Sequence, residues 1–247
     1  MRRGPLHHRY TGVPQGFRPR GNDVSRVEGF SDAVFAFAVT LLVVSLEIPR
    51  NFQDLIQTMR GFGAFAVCFT LFMQIWFKHY GFFRRYGLQD GPTRLLNTVL
   101  LFIVLFYVYP LKYLWSHTVL VGSGTGFPPA EARILLMIYG LGGAAVFLIF
   151  AFLHQHAWRC RDELELNELE RHDTRASIRE NLLMASVPIL SLLLALVLPA
   201  TLTGLAGWTY LLYAPLMTWN GMRAGRGRRP LEDQALRDAP AIRMFEE

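Results

Sequence analysis

Cysteine is scarce in this 247-residue chain, which contains only Cys68 and Cys160. Cys68 lies in an apolar run and Cys160 in a charged segment, so this pair fits neither a disulfide framework nor a zinc-binding cysteine spacing. The first 23 residues lack an apolar core, which argues against a secretory signal and indicates that the first apolar run is retained. Long polar stretches are also absent, and this excludes a separate soluble domain.

What the chain has in abundance is apolar runs, because 52% of its residues are hydrophobic and they gather between Arg-rich segments. A helix needs roughly 20 mostly apolar residues to cross the hydrocarbon core of a bilayer. We therefore predict an all-α polytopic membrane protein with six transmembrane helices in residues 24–222. The predicted spans are residues 28–47, 61–80, 94–115, 132–156, 180–199 and 203–221.

The segments outside these spans are strongly basic. Residues 1–29, 78–94, 154–181 and 220–247 together hold 21 of the 25 Lys and Arg residues. Cytoplasmic loops accumulate such residues, so both termini are expected in the cytoplasm. Basic segments alternate with apolar spans, so insertion in a lipid bilayer accounts for the net charge of +6. Nucleic acid is therefore not expected as a partner.

The polar ends of the chain are predicted to be flexible. Residues 1–23 form a basic cytoplasmic tail and residues 223–247 a C-terminal cytoplasmic tail in this interpretation. The charged stretch at residues 159–181 is predicted to be a cytoplasmic helix that continues the fourth span.

Ionisable residues within spans are costly in lipid and normally have partners inside the protein. Asp32 lies near the start of the first run, and His79 and Asn97 lie at the same end of the second and third runs. We predict that these three form a polar network, closed by Ser31 and Trp76. A purely structural connection between helices is the alternative interpretation.

The first run also has an apolar stripe. At 100° per residue, Phe30, Phe37, Leu41 and Val44 fall near one line, with Thr40 at its edge and Asp32 on the far side. Ordinary helix packing produces such stripes as well. The stripe alone therefore does not establish a pore.

A family signature occurs in the same region. The segment from Arg26 through Phe30, Ser31 and Asp32 resembles the R-x-x-x-F-S-D motif of the transmembrane protein 175 family, which are lysosomal potassium channels with bacterial relatives. The resemblance covers residues 24–112 and includes a W-x-x-H and an L-N pattern. Those two patterns are carried by Trp76, His79 and Asn97.

The resemblance implies a potassium-selective or potassium-preferring cation channel with six helices and no re-entrant filter loop, and it leaves other monovalent cations open as permeating ions. It implies one six-helix unit per chain, a homotetramer and a location in the bacterial inner membrane. The first helix of each subunit would line the pore, with Phe37, Leu41 and Val44 as the constriction and Thr40 as a polar neighbour. At position 37 the family usually has Ile. The implied structural network is Arg26, Phe30, Ser31, Asp32, Trp76, His79 and Asn97.

Other functions remain open at this point. Pro188 and Pro215 are compatible with the broken helices of a secondary transporter, although no matching halves are present. A non-conducting scaffold with the same fold is a further possibility. An enzyme is not expected, because His154 and His156 do not share a helix face and no nucleophile has a base partner. No cofactor or metal is expected. His79 is a candidate pH sensor.

Overall fold

The protein is all-helical throughout the part that the computed structural model describes, which is residues 16–21, 23–44, 50–120, 129–199 and 202–238. Five long helices are followed by one helical turn, a 3-10 turn and a final helix. They are α1 (Arg26–Val44), α2 (Phe52–Tyr86), α3 (Gly91–Leu120), α4 (Pro129–Arg159), α5 (Glu168–Val197), α6 (Leu205–Trp208), the 3-10 turn (Thr209–Leu212) and α7 (Tyr213–Asp238).

Four of the described helices contain segments long and apolar enough to cross a membrane. The predicted second span lies within α2, and the predicted sixth span covers α6, the 3-10 turn and the start of α7. Residues 45–47 of the first predicted span lie outside the described residues. The count of six spans stays a prediction. The four segments are Arg26–Val44, Gly91–Tyr113, Glu131–Arg159 and Glu168–Val197.

Helices α4 and α5 pack closely side by side. At Gly140 a Cβ atom would lie 2.9 Å from the Pro188 carbonyl oxygen and 3.0 Å from Leu192 Cβ. Only glycine fits such a contact, and small residues are what allow membrane helices to approach this closely. Helix α1 packs on α2 and α3, and α7 packs along α5. The largest fully buried apolar side chains of the core are Phe72, Phe82, Phe83, Tyr86, Leu100, Phe150 and Leu153.

The charged stretch at residues 159–181 does not continue α4. Helix α4 ends at Arg159, and Glu165 has a φ of 48°, which is incompatible with a continuous right-handed helix. Asn167 and Glu170 then form a capping box that begins α5, with Asn167 Oδ1 accepting from Glu170 N at 2.9 Å. The charged residues after this cap therefore belong to the fifth helix, and the prediction of a fourth-span extension was wrong.

The described part of the predicted N-terminal tail is packed against the bundle. Phe17 is buried and meets Tyr86 edge to face, with ring centroids 5.6 Å apart. Arg20 Nη2 lies 2.8 Å from Glu170 Oε2, and the Glu170 side chain is fully buried. The packed structure thus begins by residue 17, earlier than the predicted boundary at residue 23, because a buried carboxylate needs a cationic partner. Residues 1–15 lie outside the described part.

The C-terminal segment is helical as far as Asp238, whereas a flexible tail was expected from residue 223. Arg228 Nε lies 3.2 Å from Asp173 Oδ1 and Arg179 Nε donates to Asn220 Oδ1 at 2.7 Å. These contacts, together with the packed N-terminal segment, bring all four basic segments to the same end of the bundle. Residues 239–247 lie outside the described part.

Candidate functional site: the α1 helix and its polar anchors

Helix α1 divides into a buried and an exposed face. Ser31, Phe35, Ala38 and Leu42 recur at three- and four-residue intervals and are all buried. This spacing places them along one side of a helix, where they pack against α2 and α3. The rotation of α1 about its own axis is therefore fixed by packing within the chain.

A buried hydrogen-bonded chain crosses three helices beneath this face. Asn97 Nδ2 on α3 donates to Ser31 Oγ on α1 at 2.9 Å, and Asn97 Oδ1 lies 2.8 Å from His79 Nε2 on α2. Ser31 Oγ in turn donates to the Val27 carbonyl at 2.7 Å. Such interhelical bonds join helices where apolar packing alone gives little specificity. The single amide of Asn97 therefore connects α1, α2 and α3.

Asp32 is not part of this hydrogen-bonded chain. Its Oδ1 accepts from the indole Nε1 of Trp76 at 2.8 Å, and the Asp32 side chain is exposed. The predicted three-way contact of Asp32, His79 and Asn97 is thus divided into two separate connections. Adjacent residues on a helix differ by about 100° in direction, so Ser31 and Asp32 cannot both face the same partner.

Besides Asp32, two further members of the predicted network have exposed side chains, namely Arg26 and Phe30. Phe30 is 67% exposed and lies on the same side of α1 as the stripe residues. Their predicted structural roles stay predictions, because the buried hydrogen-bonded chain consists of Ser31, Asn97 and His79.

The exposed face of α1 carries the predicted constriction. Phe37 is 55% exposed and Val44 is 72% exposed, while Leu41 is partly buried against the core. Thr40 is also exposed, and its hydroxyl donates to the Ala36 carbonyl at 2.9 Å. One side of α1 therefore presents an exposed apolar strip with the single hydroxyl of Thr40. Polar contacts anchor the other side of this helix.

Chemically, this arrangement suits a surface against lipid or against further copies of α1 around an axis. Side chains such as Phe37 and Val44 offer no oxygen ligands, so they act on an ion by excluding water, and the Phe37 ring also offers its negative face to a cation. Within the described residues no re-entrant segment supplies a ring of carbonyls.

A second polar cluster was missed by the sequence reasoning. Asp90, His156 and Cys160 place their potential ligand atoms within 4.8 Å of one another at the Arg-rich end. The four-residue spacing of His156 and Cys160 on one helix face was the available signal. Asp90 is 66 positions away from His156, and only folding reveals its proximity.

The sequence of this chain is similar to those of known potassium channels. A family model described as endosomal/lysosomal potassium channel TMEM175 matches residues 26–107, which include α1 and both polar connections. A potassium channel of Marivirga tractuosa is 42% identical over 238 residues, covering 90% of this chain and 96% of that protein.

Two solved structures are similar as well. A crystal structure of a variant of the potassium channel MtTMEM175, in complex with a nanobody fusion protein, aligns with a TM-score of 0.77 at 42% identity. It covers 86% of this chain and 98% of that one. A lysosomal potassium-selective channel TMEM175 homologue from Chamaesiphon minutus aligns with a TM-score of 0.55 at 22% identity, over 79% and 96% of the two chains, and shares the fold.

Proposed function

This chain belongs to the TMEM175 family of potassium channels. We propose that copies of its α1 helix surround a central ion path and close this path with apolar side chains. The protein is a potassium channel of the membrane, in which ions flow passively. The single observation that carries the proposed mechanism is the exposed strip of Phe37 and Val44 on a helix fixed by its own chain.

The constriction works by dewetting. Where apolar rings narrow a path, water leaves it, and an ion that has lost its hydration shell meets a high barrier. Phe37 supplies the largest side chain of the strip and Val44 lies two turns further along. Between them, the Thr40 hydroxyl keeps acceptor capacity beside its bond to Ala36, and it supplies a polar contact for a passing cation.

Four copies of the chain form the channel in this proposal. Closed rotational symmetry is the usual organisation of soluble homo-oligomers, and the proposed channel follows the same rule. Around a fourfold axis the strip of each copy meets its equivalents, so the apolar area that one chain leaves uncovered becomes buried or lines the path. Arg26 and Phe30, at the Arg-rich end of α1, then lie near the entrance.

The channel is oriented with its Arg-rich end in the cytoplasm. All four basic segments meet at that end through contacts such as Arg20 with Glu170 and Arg228 with Asp173. Accumulation of Lys and Arg on the cytoplasmic side sets the orientation of multi-pass proteins. Both termini therefore lie in the cytoplasm, and the bacterial inner membrane is the expected location.

Potassium flux into proteoliposomes tests the constriction. Phe37→Ala is expected to increase the flux several-fold because it widens the apolar ring. Phe152→Ala is the matched control, since Phe152 on α4 is also 55% exposed but lies on another helix. Absence of flux in both wild type and Phe37→Ala, or an equal effect of Phe152→Ala, would contradict the mechanism.

Cross-linking tests the assembly directly. In a chain whose native cysteines are replaced, Phe37→Cys is expected to give disulfide-linked dimers under oxidising conditions, because equivalent α1 helices face one axis. Phe152→Cys is expected to stay monomeric on a denaturing gel. Native mass spectrometry would give the number of copies, and a monomer or dimer in lipid would rule out the fourfold channel.

A further inference from the structure

Three potential metal ligands converge at the Arg-rich end of the bundle, away from the proposed ion path. Asp90 lies in the connection between α2 and α3, directly before the first residue of α3. His156 lies in the last turn of α4 and Cys160 follows that helix. The three residues supply a carboxylate, an imidazole and a thiol.

The distances between the ligand atoms are short. Asp90 Oδ2 lies 2.5 Å from His156 Nε2, and Cys160 Sγ lies 3.8 Å from the same nitrogen. All three ligand atoms lie within 4.8 Å of one another. His156 and Cys160 are four residues apart, and the Cys160 N–H donates to the His156 carbonyl at 3.1 Å, so helical geometry holds both on one face.

These separations can be compared with a tetrahedral zinc site. Bonds of about 2.0–2.1 Å to nitrogen and about 2.3 Å to sulfur place the two ligand atoms about 3.6 Å apart at a tetrahedral angle. The observed 3.8 Å between His156 and Cys160 therefore fits with almost no movement. The Asp90 oxygen has to withdraw by less than about 1 Å, because oxygen and nitrogen ligands of one zinc ion lie about 3.3 Å apart.

The surroundings favour coordination further. Asp90 Oδ1 accepts from the Thr93 N–H at 3.3 Å, which orients the carboxylate while Oδ2 faces the imidazole. Side-chain exposures of 40% for Asp90 and 16% for His156 leave a route for an ion and a position for a water ligand. Three protein ligands and one water is a common zinc arrangement.

We propose that Asp90, His156 and Cys160 bind one divalent transition-metal ion of the zinc class, with water as the fourth ligand. A thiolate and an imidazole select zinc or cobalt over magnesium and calcium, which prefer oxygen ligands. The ion ties the α2–α3 connection to the end of α4. It therefore stabilises the Arg-rich end of the channel independently of the residues that line the ion path.

Cysteine coordinates a metal ion through its thiolate, so binding of the metal at Cys160 releases the thiol proton to the solvent.

Cobalt is the most informative probe, because a thiolate bound to Co²⁺ gives a ligand-to-metal charge-transfer band in the near ultraviolet. The full-length, tag-free chain in detergent or nanodiscs is expected to show this band, saturating at one Co²⁺ per chain, and to lose it when Zn²⁺ is added. Cys160→Ser is expected to abolish the band. His156→Gln is expected to abolish stoichiometric binding.

Matched controls separate this site from adventitious binding. Cys68→Ala removes the other thiol and His172→Asn removes another partly exposed histidine, and both variants are expected to bind as the wild type does. Zn²⁺ is also expected to raise the Tm of the wild type but not of Cys160→Ser. Size-exclusion profiles check that the variants are folded.

Two results would overturn the proposal. One is a folded wild-type chain without the charge-transfer band at saturating Co²⁺. The other is a signal that persists in Cys160→Ser: a persisting band would place the metal on Cys68, and a persisting zinc-dependent Tm shift would mean adventitious binding at other histidines, including His7 and His8. Loss of potassium flux alone would concern the channel function and not this site.

Discussion

The Trp76 indole donates to the Asp32 carboxylate at 2.8 Å and joins α2 to α1 one residue beyond the buried bond between Ser31 and Asn97. Two polar connections at adjacent positions restrain α1 against rotation more firmly than one. A rotation large enough to move Phe37 off the exposed face would break both. The polar anchors thus determine which side chains the chain presents outside its own core.

The Trp76–Asp32 bond is expected to contribute about 1 kcal/mol to the association of α1 with α2, since it is a charge-assisted but exposed hydrogen bond. Trp76→Phe keeps an aromatic ring beside Tyr80, on which Trp76 stacks at 5.7 Å, and removes only the donor. We expect a small decrease in Tm. A double-mutant cycle with Asp32→Asn isolates the pair, and additive effects of the two substitutions would show that the bond contributes nothing.

Substitution of Asn97 is expected to lower the stability of the protein far more than substitution of Trp76. Asn97→Leu leaves the buried Ser31 hydroxyl and the His79 imidazole without their shared partner, which costs about 1–3 kcal/mol. Thr98→Val is the matched control, because Thr98 is the next residue but is exposed and bonds only to its own helix. The measurement is thermal unfolding in detergent, and equal Tm shifts for the two variants would contradict the buried chain.

At the Arg-rich end, substitution of Glu170 is expected to cause the largest loss of stability. Its fully buried carboxylate accepts from the Arg20 guanidinium and from the Arg18 N–H at 2.7 Å, and it completes the cap of α5. Glu170→Ala leaves the Arg20 charge without this partner and is expected to destabilise the protein by about 3–5 kcal/mol.

Glu168→Ala controls for loss of a negative charge in the same helical turn, since the Glu168 side chain is 81% exposed. It is expected to change stability by less than about 0.5 kcal/mol. Limited proteolysis gives a second measurement: cleavage near residues 16–25 is expected to accelerate in Glu170→Ala alone. Equal cleavage rates in both variants would mean that the N-terminal segment is held by other contacts.

The division of α1 side chains between opposite faces was largely predictable from the sequence, because helical periodicity depends only on local spacing. The 100° rotation per residue already separates Phe37 and Val44 from Asp32, and the structure has the first two on the exposed face. The choice between Ser31 and Asp32 as the partner of Asn97 was not predictable. It depends on the rotation of a packed helix, which is set by contacts such as that of Phe35 with His79.

Long-range contacts account for what sequence reasoning missed. Arg20 and Glu170 are 150 positions apart, and no local pattern connects a basic tail with the start of the fifth helix. The break after α4 was also missed, because the left-handed conformation of Glu165 is unusual for a residue other than Gly, Asn or Asp. Its charged surroundings favoured a continuous helix instead.

The Cys160 thiol is expected to react slowly with maleimides at neutral pH. Burial and the Glu163 and Asp90 carboxylates raise its pKa, so the reactive thiolate is rarer at pH 7 than in a free thiol, and the rate is expected to rise through a midpoint above that of free cysteine. Asp90→Asn removes one of these negative charges and is expected to move the midpoint towards lower pH. Labelling of the metal-free protein in a Cys68→Ala background, with a chelator present, followed by mass spectrometry at a series of pH values, gives the midpoint directly. A midpoint at or below that of free cysteine would contradict the electrostatic environment described here, as would a midpoint that does not respond to Asp90→Asn.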